Sequence, residues 1–285
     1  MREIESSKKR KMAHMPPHWP REFDLWSRIG ASGRSVLMLD YDGTLAPFRK
    51  ERLEAYPYPG VPERLARLAA LESVRLVLVS GRPARELLGL LTCVPRIGER
   101  VEIWGDHGQE RLRSDGSYSL RPVGEEERRL MDAVKEEVAR LGLSGTVEAK
   151  PASLAIHWRG LDPQERDRIN SAVRTLYRQQ GERSDLRLLE FDGGIELRSK
   201  HAGKDAAVEQ ILAEEEPGII AAYLGDDLTD EDAFAAAGDR ALSILVRIEP
   251  RESSARFWLK PPEELLEFLD SWVHAAGARS RRKDS

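Results

Sequence analysis

The sequence predicts an α/β protein in which a mostly parallel sheet is covered by helices on both faces. Three observations indicate this class. Short apolar runs alternate with segments whose apolar residues recur at helical spacing, the alternation is interrupted between about residues 111 and 192, and two of the apolar runs end abruptly in aspartates. Parallel strands buried on both faces are apolar throughout, and open α/β sheets bind ligands at the carboxyl ends of such strands.

The alternation defines the elements of the predicted core. The expected elements before the interruption are, in order, a strand over 35–40, a helix over 62–71, a strand over 74–79 and a helix over 83–91. Those after it are a helix over 206–213, a strand over 219–224, a helix over 230–237, a strand over 241–246 and a helix over 263–275. Strands joined through helices in this way pair in parallel.

The middle of the chain has a different pattern. Residues 111–120 resemble a hairpin, residues 146–158 alternate like one strand with an exposed face, and residues 186–191 form a further strand. Apolar residues at helical spacing predict two helices, on Leu130, Val134, Val138 and Leu141 and on Ile169, Val173, Leu176 and Tyr177. We therefore expect an inserted α+β cap domain over 111–192, which closes on substrate about hinges near 105–108 and 192–194.

The remaining segments complete the predicted domain organisation. The core comprises residues 31–110 and 193–278. Residues 1–30 form a partly disordered N-terminal arm, because residues 1–20 have no sustained apolar period, although Phe23, Trp26 and Ile29 fall at helical spacing and predict a short docking helix. Residues 279–285 form a basic, solvated tail.

Composition excludes several functional classes. The 285 residues contain 45 basic and 49 acidic side chains, and the net charge of −4 gives no general attraction to nucleic acid or to an anionic membrane. Neither a membrane-spanning run nor a signal-peptide core is present in the sequence, so we expect a cytoplasmic protein. The single cysteine, Cys93, excludes an internal disulfide, and its apolar neighbours predict a buried structural thiol.

Asp40 and Asp42 form the most informative motif, because they follow a buried strand and stand one residue apart in Asp40-Tyr41-Asp42-Gly43-Thr44. Two carboxylates this close repel each other unless a cation neutralises them, and hard oxygen ligands of this kind suit Mg²⁺. A phosphate substrate fits such an arrangement. An acidic turn without function is the alternative, since Asp-Gly is common in turns.

Three further segments lie at comparable positions. Ser80 ends a strand just before a helix, so its hydroxyl and the free N–H groups of that helix can hold a phosphate oxygen, although a simple strand-to-helix turn with Pro83 in the first helical position explains the same residues. Lys204 in a first helical turn opposes the helix dipole by about 0.3 to 1 kcal/mol, which indicates an anionic partner nearby. That partner could be only Asp205.

The fourth segment is Gly225 to Asp232, at the end of another apolar strand. A capping box from Thr229 to Asp232, with acidic residues in the first helical turn, accounts for its second half. It does not account for Asp226 and Asp227, which complete an oxygen shell suited to Mg²⁺.

Taken in order, these segments resemble the four motifs of the haloacid dehalogenase superfamily, whose core is Rossmann-like. The interruption resembles the cap position of its sugar-phosphatase branch. More narrowly, the sequence is similar to trehalose-6-phosphate phosphatases over residues 33–272. Segments that carry this narrower resemblance are Gly105-Asp106-His107-Gly108 with Glu110, Glu148-Ala149-Lys150, Ser153 to Arg159, and Glu196-Leu197-Arg198. Trp158 and Ser199 depart from the family pattern, where tyrosine and proline are common.

The resemblance implies a Mg²⁺-dependent hydrolysis through an aspartyl-phosphate. Asp40 is then the nucleophile, and Asp42 the acid and base, for which its pKa should be raised by its charged neighbour. The resemblance assigns the metal to Asp40, the Asp42 carbonyl and Asp226, with Asp227 and Asp230 ordering waters or orienting Lys204. Thr44, Ser80 and Lys204 are assigned to the phosphate oxygens.

The resemblance also nominates residues that would bind the sugar. They are His107, Gly108, Glu148, Lys150, Arg159 and Glu196. Glu148 and Lys150 alternate on a strand, so a solvated face without function explains them equally simply. Other phosphosugars such as sucrose 6-phosphate or a glycosyl-phosphoglycerate, and a catalytically silent phosphosugar-binding regulator, remain alternatives. A small phosphosugar is the expected partner, and the resemblance allows a trehalose-6-phosphate synthase as a second one.

Overall fold

The computed structural model describes residues 14–20, 24–49, 51–181, 184–191 and 193–278. The chain forms two compact units: one combines the residues up to Tyr118 with those from Lys204 onward, and the other is Ser119–Gly203. The predicted arm before residue 14, Phe23 of the predicted docking helix, and the tail over 279–285 lie outside the described residues.

Twelve strands are present in the described residues. They are β1 Ser35–Leu39, β2 Val74–Val79, β3 Glu102–Gly105, β4 Glu110–Leu112, β5 Tyr118–Leu120, β6 Val147–Lys150, β7 Ser153–His157, β8 Leu186–Phe191, β9 Gly194–Ser199, β10 Ile220–Gly225, β11 Leu242–Val246 and β12 Phe257–Leu259. Eight of them form a sheet in the order β12-β11-β10-β1-β2-β3-β4-β5, and all neighbours from β12 to β3 pair in parallel. The predicted mostly parallel sheet is confirmed.

The described residues also form eight α-helices. They are α1 Leu25–Ala31, α2 Val61–Ala69, α3 Ala84–Leu90, α4 Glu125–Arg140, α5 Pro163–Leu176, α6 Lys204–Ala213, α7 Leu228–Ala237 and α8 Glu263–Gly277. Among the helices described, none is both long and apolar enough to cross a membrane.

The central strands are buried on both faces of the large sheet. Leu37 and Leu39 of β1 belong to an apolar cluster with residues of α1, α2, α3 and α8. Val36 and Met38 point to the other face and pack with residues of α6 and α7. Successive strand residues alternate between the two faces, so both faces require apolar side chains. This explains the uninterrupted apolar runs in the sequence.

Two predictions about single segments are wrong. Residues 14–20 are not a free arm: His14 exchanges backbone hydrogen bonds with Ser253, and the nearly buried Trp19 packs edge-on against Phe257 and Phe268. Cys93 is exposed rather than buried, because it lies in the turn after α3, where its neighbours Leu91 and Val94 take the inward positions.

The second unit contains an antiparallel sheet in the order β6-β7-β9-β8. Helices α4 and α5 cover one of its faces through a shared apolar cluster. The single strand predicted over 146–158 is wrong, because this segment folds back on itself as the hairpin β6–β7. Lys150 pairs with Ser153 at its turn.

Neither predicted hinge lies at a junction between the units. Residues 105–108 connect β3 to β4, which pair with each other as Gly105 opposite Glu110 within the large sheet. Asp192 lies outside the described residues, but the flanking Phe191 and Gly194 pair with each other and close the β8–β9 hairpin. Residues 105–108 therefore form a turn within the large sheet, and the chain passes from one unit to the other at 118/119 and 203/204.

Candidate active site

The loop after β1 carries Asp40, Asp42 and Thr44. The Asp40 N–H donates to the Leu224 carbonyl of β10 over 2.8 Å, so the parallel ladder continues one residue past β1 and holds Asp40 at the carboxyl edge of the sheet. Asp40 is 3% exposed. The buried Thr44 hydroxyl lies 3.4 Å from Asp40 Oδ2 and donates to it. Both side chains are therefore positioned before any ligand binds.

Gly43 allows this loop to approach the loop after β10. Its φ is +82°, in the left-handed region, and a Cβ atom at this position would lie 2.1 Å from Asp226 Oδ2. A carboxylate cannot approach a side-chain carbon that closely, so only glycine fits. The contact brings Asp226 beside the loop that carries Asp40 and Asp42.

Lys204, the first residue of α6, is buried between two carboxylates. Its Nζ donates to Asp40 Oδ1 over 2.6 Å and to Asp230 Oδ1 over 2.7 Å. These two carboxylates are the anionic partners that its position in a first helical turn indicated. Burial by itself lowers the pKa of Lys204, but Asp230 and Asp40 outweigh burial and raise this pKa above its usual value. Lys204 is therefore a fixed positive charge against Asp40.

Asp230 organises the loop after β10. Its Oδ2 accepts the N–H groups of Asp226 and Asp227 over 3.0 and 2.9 Å, and its Oδ1 accepts from Lys204 and from the Tyr223 hydroxyl. Helix α7 begins at Leu228 with Asp227 as its N-cap. The capping box predicted from Thr229 to Asp232 is therefore wrong, and Asp230 fixes the backbone that presents Asp226.

Asp40, Asp226 and Asp230 form one buried acidic cluster, in which one oxygen from each lies within 4.8 Å of the others. Burial raises the pKa of Asp40 to about 7, although Lys204 opposes this shift. Burial, together with Asp40 and Asp230, raises the pKa of Asp226 to about 9. Only one buried cation, Lys204, contacts this cluster in the described residues, so negative charge is in excess.

The cluster fits a hard divalent cation. Asp226 Oδ1 is buried and has no hydrogen-bond partner among the described residues. An unpaired carboxylate oxygen in this position is costly unless a cation occupies the space in front of it. Asp40 and Asp226 each direct carboxylate oxygen into the cluster. Each Asp40 oxygen accepts one hydrogen bond, whereas each Asp230 oxygen already accepts two. Oxygen donors of this kind suit Mg²⁺ or Ca²⁺ rather than a soft metal.

The raised pKa of Asp226 predicts how stability depends on pH when no metal is bound. An acid whose pKa rises on folding contributes stability that is complete below its unfolded pKa, here 3.8, and is lost as pH rises through the folded value of about 9. In EDTA, wild type should therefore lose stability relative to Asp226→Asn as pH rises, by at most about 1.4 kcal/mol per pH unit. Denaturant unfolding of both proteins at pH 5 and pH 8 measures this difference, and an equal slope for the two would contradict it.

Asp42 does not face the acidic cluster as the sequence argument assumed. Its two carboxylate oxygens accept from Arg82 Nε and Nη2, each over 2.6 Å. The Arg82 side chain is buried, and its Nη1 donates to the Arg52 carbonyl and to Glu86. The carboxylates that face one another are therefore Asp40 and Asp226, because a bidentate ion pair holds Asp42.

Ser80 is buried directly after β2, and its hydroxyl oxygen accepts the Arg82 N–H over 3.1 Å. Helix α3 begins at Ala84, so Pro83 precedes the first helical position. The Ala84 N–H donates to Glu110 Oε2 over 2.6 Å and is therefore not free to bind a phosphate oxygen.

His107 and Gly108 lie in the turn between β3 and β4. The His107 N–H donates to the Ser80 carbonyl over 2.9 Å, and its ring lies so close to Gly81 that a Cβ there would be 2.5 Å from it. Asp106 and His107 both have positive φ, 44° and 55°. Backbone strain in non-glycine residues concentrates at functional sites, where surrounding contacts enforce it. The turn is thus fixed against the Ser80 loop.

The other four predicted sugar-binding residues belong to the second unit. Glu148 and Glu196 both lie opposite Ala155 on neighbouring strands, so they share the sheet face that α4 and α5 do not cover. Lys150 lies two residues from Glu148 on the same face, and Arg159 follows β7. Glu196 lies on β9, an interior strand of the second sheet, although it was predicted to belong to the core over 193–278.

Glu148 is held by its neighbours, although half of its side chain is exposed. It hydrogen-bonds His157 Nε2 over 2.9 Å and lies 3.5 Å from Lys150 Nζ. The hydrogen bond to His157, with Lys150 assisting, lowers the pKa of Glu148 below its usual value. Glu196 pairs with Arg198 and is nearly buried. The face is polar and structured, which agrees with either interpretation of Glu148.

Sequence reasoning missed two residues that organise the site. No role was predicted for Arg82 from the sequence, because its pairing with Asp42 depends on the fold. Tyr223 donates its hydroxyl to Asp230, but a tyrosine inside an apolar strand resembles an ordinary core residue. The one available signal was that a buried tyrosine needs a hydrogen-bond acceptor.

A parallel-sheet core, an aspartate loop after its central strand, a buried lysine and an acidic loop on the next strand define a hydrolase fold of the haloacid dehalogenase type. Solved structures with this fold agree. The trehalose-6-phosphate phosphatase of Aspergillus fumigatus superimposes with a TM-score of 0.74 over 91% of this chain and 99% of that chain, at 21% identity. A haloacid dehalogenase-like hydrolase from Bacteroides thetaiotaomicron gives 0.59 over 83% of this chain and 98% of that chain, at 17% identity.

Sequence comparison shows which family of this fold class the chain belongs to. The trehalose-phosphatase family model matches residues 38–262, and the chain belongs to this family. It is 30% identical over 271 residues to the trehalose 6-phosphate phosphatase RA3 of Zea mays, covering 87% of this chain and 73% of the relative. A trehalose-phosphate phosphatase of Mycobacterium marinum is 29% identical over 251 residues, and the match covers 82% of this chain and 60% of the relative.

Proposed function

We propose that this protein is a Mg²⁺-dependent phosphatase that hydrolyses trehalose 6-phosphate to trehalose and phosphate. The proposal rests on the Asp40 carboxylate, which is buried, hydrogen-bonded to Lys204 and part of the acidic cluster, in a chain of the trehalose-phosphatase family. A protein that only binds a phosphosugar has no need of a buried carboxylate where negative charge is already in excess.

In the first step, an Asp40 oxygen attacks phosphorus, the bond from phosphorus to the sugar oxygen breaks, and Asp42 donates a proton to the departing oxygen. In the second step, water attacks phosphorus, Asp42 takes a proton from that water, and the Asp40 carboxylate is released with phosphate. Covalent catalysis of this kind divides one difficult hydrolysis into two easier displacements. In both steps Asp42 must break a hydrogen bond to Arg82 and form one to the reacting oxygen.

The remaining core residues position charge. Lys204, Thr44 and Ser80 bind phosphate oxygens, where transition-state charge develops. Asp40, the Asp42 carbonyl and Asp226 hold Mg²⁺, which when bound neutralises the carboxylates and the phosphoryl group. Asp230 keeps Lys204 and the Asp226 loop in place, and Asp227 orders water beside them.

Sugar recognition is proposed for the second unit and for the turn between β3 and β4. Disaccharide hydroxyls require several fixed polar groups at once, and Glu148, Lys150, Glu196 and Arg159 supply them from a single sheet and its edge. His107 and Gly108 contribute from the turn that contacts Ser80. We retain the proposal that the second unit acts as a cap domain, and the prediction that the protein is cytoplasmic.

Phosphate release from a panel of esters tests the substrate. The panel contains trehalose 6-phosphate, sucrose 6-phosphate, glucose 6-phosphate and glucosyl-3-phosphoglycerate, each with Mg²⁺ or with EDTA. We expect strong Mg²⁺-dependent preference for trehalose 6-phosphate. Preference for another member would replace the substrate and keep the mechanism, whereas no release in folded protein would favour a silent phosphosugar-binding regulator.

Glu148→Ala tests sugar recognition separately from chemistry. The variant should lose about tenfold or more in kcat/KM for trehalose 6-phosphate, because a buried sugar hydroxyl would lose its acceptor, and should keep its activity on p-nitrophenyl phosphate. Glu136→Ala, an exposed glutamate on α4, serves as the matched control. Equal loss on both substrates would contradict a role in recognition.

A trehalose-6-phosphate synthase remains the proposed functional partner, because it would supply the substrate. A bifunctional trehalose-6-phosphate synthase/phosphatase of Thermoproteus tenax is 31% identical over 241 residues, and this chain matches 31% of its length. Both activities therefore occur on one chain in a relative.

A further inference from the structure

The segment Ala46–Tyr58, here called the β1 loop, follows the loop that carries Asp40 and Asp42 and is anchored between Arg52 and Tyr58; residue 50 lies outside the described residues. Three hydrogen bonds make the anchor: Tyr58 N–H to the Leu45 carbonyl (2.9 Å), the Tyr41 hydroxyl to the Ala55 carbonyl (2.7 Å), and Arg82 Nη1 to the Arg52 carbonyl (2.7 Å). Tyr41 and Arg82 are themselves nearly buried. The backbone from Arg52 to Tyr58 is therefore preorganised, and Phe48 lies two residues after Ala46, whose N–H donates to the Tyr41 carbonyl over 3.0 Å.

Large apolar side chains on this anchored backbone point into solvent. Phe48 is 65% exposed, Leu53 65% and Tyr56 59%, whereas Ala55 between them is fully buried. Single exposed apolar residues are ordinary, but three within nine positions of an ordered loop expose apolar surface that folding does not use. Such a surface beside a polar site indicates a ligand with an apolar face.

The β1 loop lies on the side of the site where the leaving group must be. The Arg82 guanidinium that holds the Arg52 carbonyl also holds both oxygens of Asp42, the proposed proton donor to the departing sugar oxygen. At the other end of the loop, the Tyr58 N–H donates to the carbonyl of Leu45, two residues after Gly43, and Gly43 lies against Asp226. The loop therefore borders both Asp42 and the acidic cluster.

On this basis we infer that Phe48 and Tyr56 form a stacking platform for the C–H face of the sugar ring that carries the phosphate. This inference rests on the proposed function and extends it, because it assigns core residues to sugar binding. A pyranose presents hydroxyls at its edge and C–H groups on its faces, so a neutral sugar is bound by polar groups around the ring and by an aromatic ring beneath it. An anchored loop presents such rings at low entropic cost.

The test compares substitutions within the loop. Phe48→Ala and Tyr56→Ala should each lower kcat/KM for trehalose 6-phosphate, mainly through KM, by about fivefold more than they lower kcat/KM for acetyl phosphate, whose leaving group has no ring to stack. Phe48→Tyr should retain activity because it keeps the ring, whereas Phe48→Leu should behave like Phe48→Ala. Met15→Ala, which removes an exposed apolar side chain outside this loop, is the matched control and should have no effect.

A binding measurement removes turnover from the comparison. Calorimetric titration of trehalose 6-phosphate into Asp40→Asn, with and without Phe48→Ala, should show about fivefold weaker binding in the double variant. Full activity of Phe48→Leu, or an equal loss in Met15→Ala, would overturn stacking. Failure of the proposed function gives a different result, because wild type would then not hydrolyse trehalose 6-phosphate although it hydrolyses the p-nitrophenyl ester.

Discussion

Asp40→Asn should reduce phosphate release from trehalose 6-phosphate by at least about a thousandfold, because the amide cannot form the acyl-phosphate and the water-only route lacks its covalent step. The substitution keeps the shape of the side chain and removes one negative charge from the cluster. We therefore expect the folded state to be retained, and to be more stable than wild type in EDTA at pH 8, where burial of the charged carboxylate is unfavourable.

Steady-state phosphate release and thermal unfolding, measured on the same preparations, separate the two effects. Asp205→Asn is the matched control, since it removes a carboxylate next to Lys204 in sequence but outside the acidic cluster. Asp205→Asn should be active. Substantial activity in Asp40→Asn would remove the nucleophile assignment.

Gly43→Ala should abolish activity for a steric reason. The added Cβ would lie 2.1 Å from Asp226 Oδ2, so either Asp226 or the Asp40–Thr44 loop must move. The carboxylates of Asp40 and Asp226 would then no longer face one another. We expect at least a hundredfold loss of kcat/KM and weaker Mg²⁺ binding, which calorimetry detects without turnover.

Gly116→Ala controls for the backbone. Gly116 has the same φ of +82°, but nothing lies within 4 Å of the position that its Cβ would take. Both substitutions should cost about 1 to 2 kcal/mol for an alanine in the left-handed region. Only Gly43→Ala should also lose Mg²⁺ affinity. Equal Mg²⁺ affinity in the two variants would contradict the steric account.

The sequence was informative where local chemistry decides the structure. Asp40, Lys204 and Asp226 could be nominated because each interrupts an apolar pattern at an element boundary, where a charge needs a reason. The strand and helix limits of the core agree with the structure to within about two residues, because the hydrophobic pattern on a sheet buried on both faces is strong.

Glycine-containing turns were the main source of error in the domain boundaries. A glycine indicates that the chain turns, but it does not tell a hinge from a hairpin, so residues 105–108 and Gly194 were assigned to hinges although their flanking strands pair with each other. The 146–158 segment failed similarly, because the alternation of side chains continues through a short hairpin turn.

The sequence did not show which residues, distant along the chain, pair with each other through hydrogen bonds and ion pairs. Local spacing suggested that Asp42 would be influenced mainly by Asp40, whereas the fold supplies Arg82 as its partner. The same limitation applies to Glu110, which caps α3 from a strand on the far side of β3. Such pairs depend on the three-dimensional arrangement of loops rather than on spacing.

The central claim is that Asp40 carries the phosphoryl group of trehalose 6-phosphate during hydrolysis. Rapid acid quench of the protein mixed with trehalose 6-phosphate and Mg²⁺, followed by peptide mass analysis, tests it most directly. A transient phosphoryl group on the peptide that contains Asp40, absent in Asp40→Asn, is the expected result. Phosphate release without any modification of that peptide, or with modification of another residue, would contradict the mechanism.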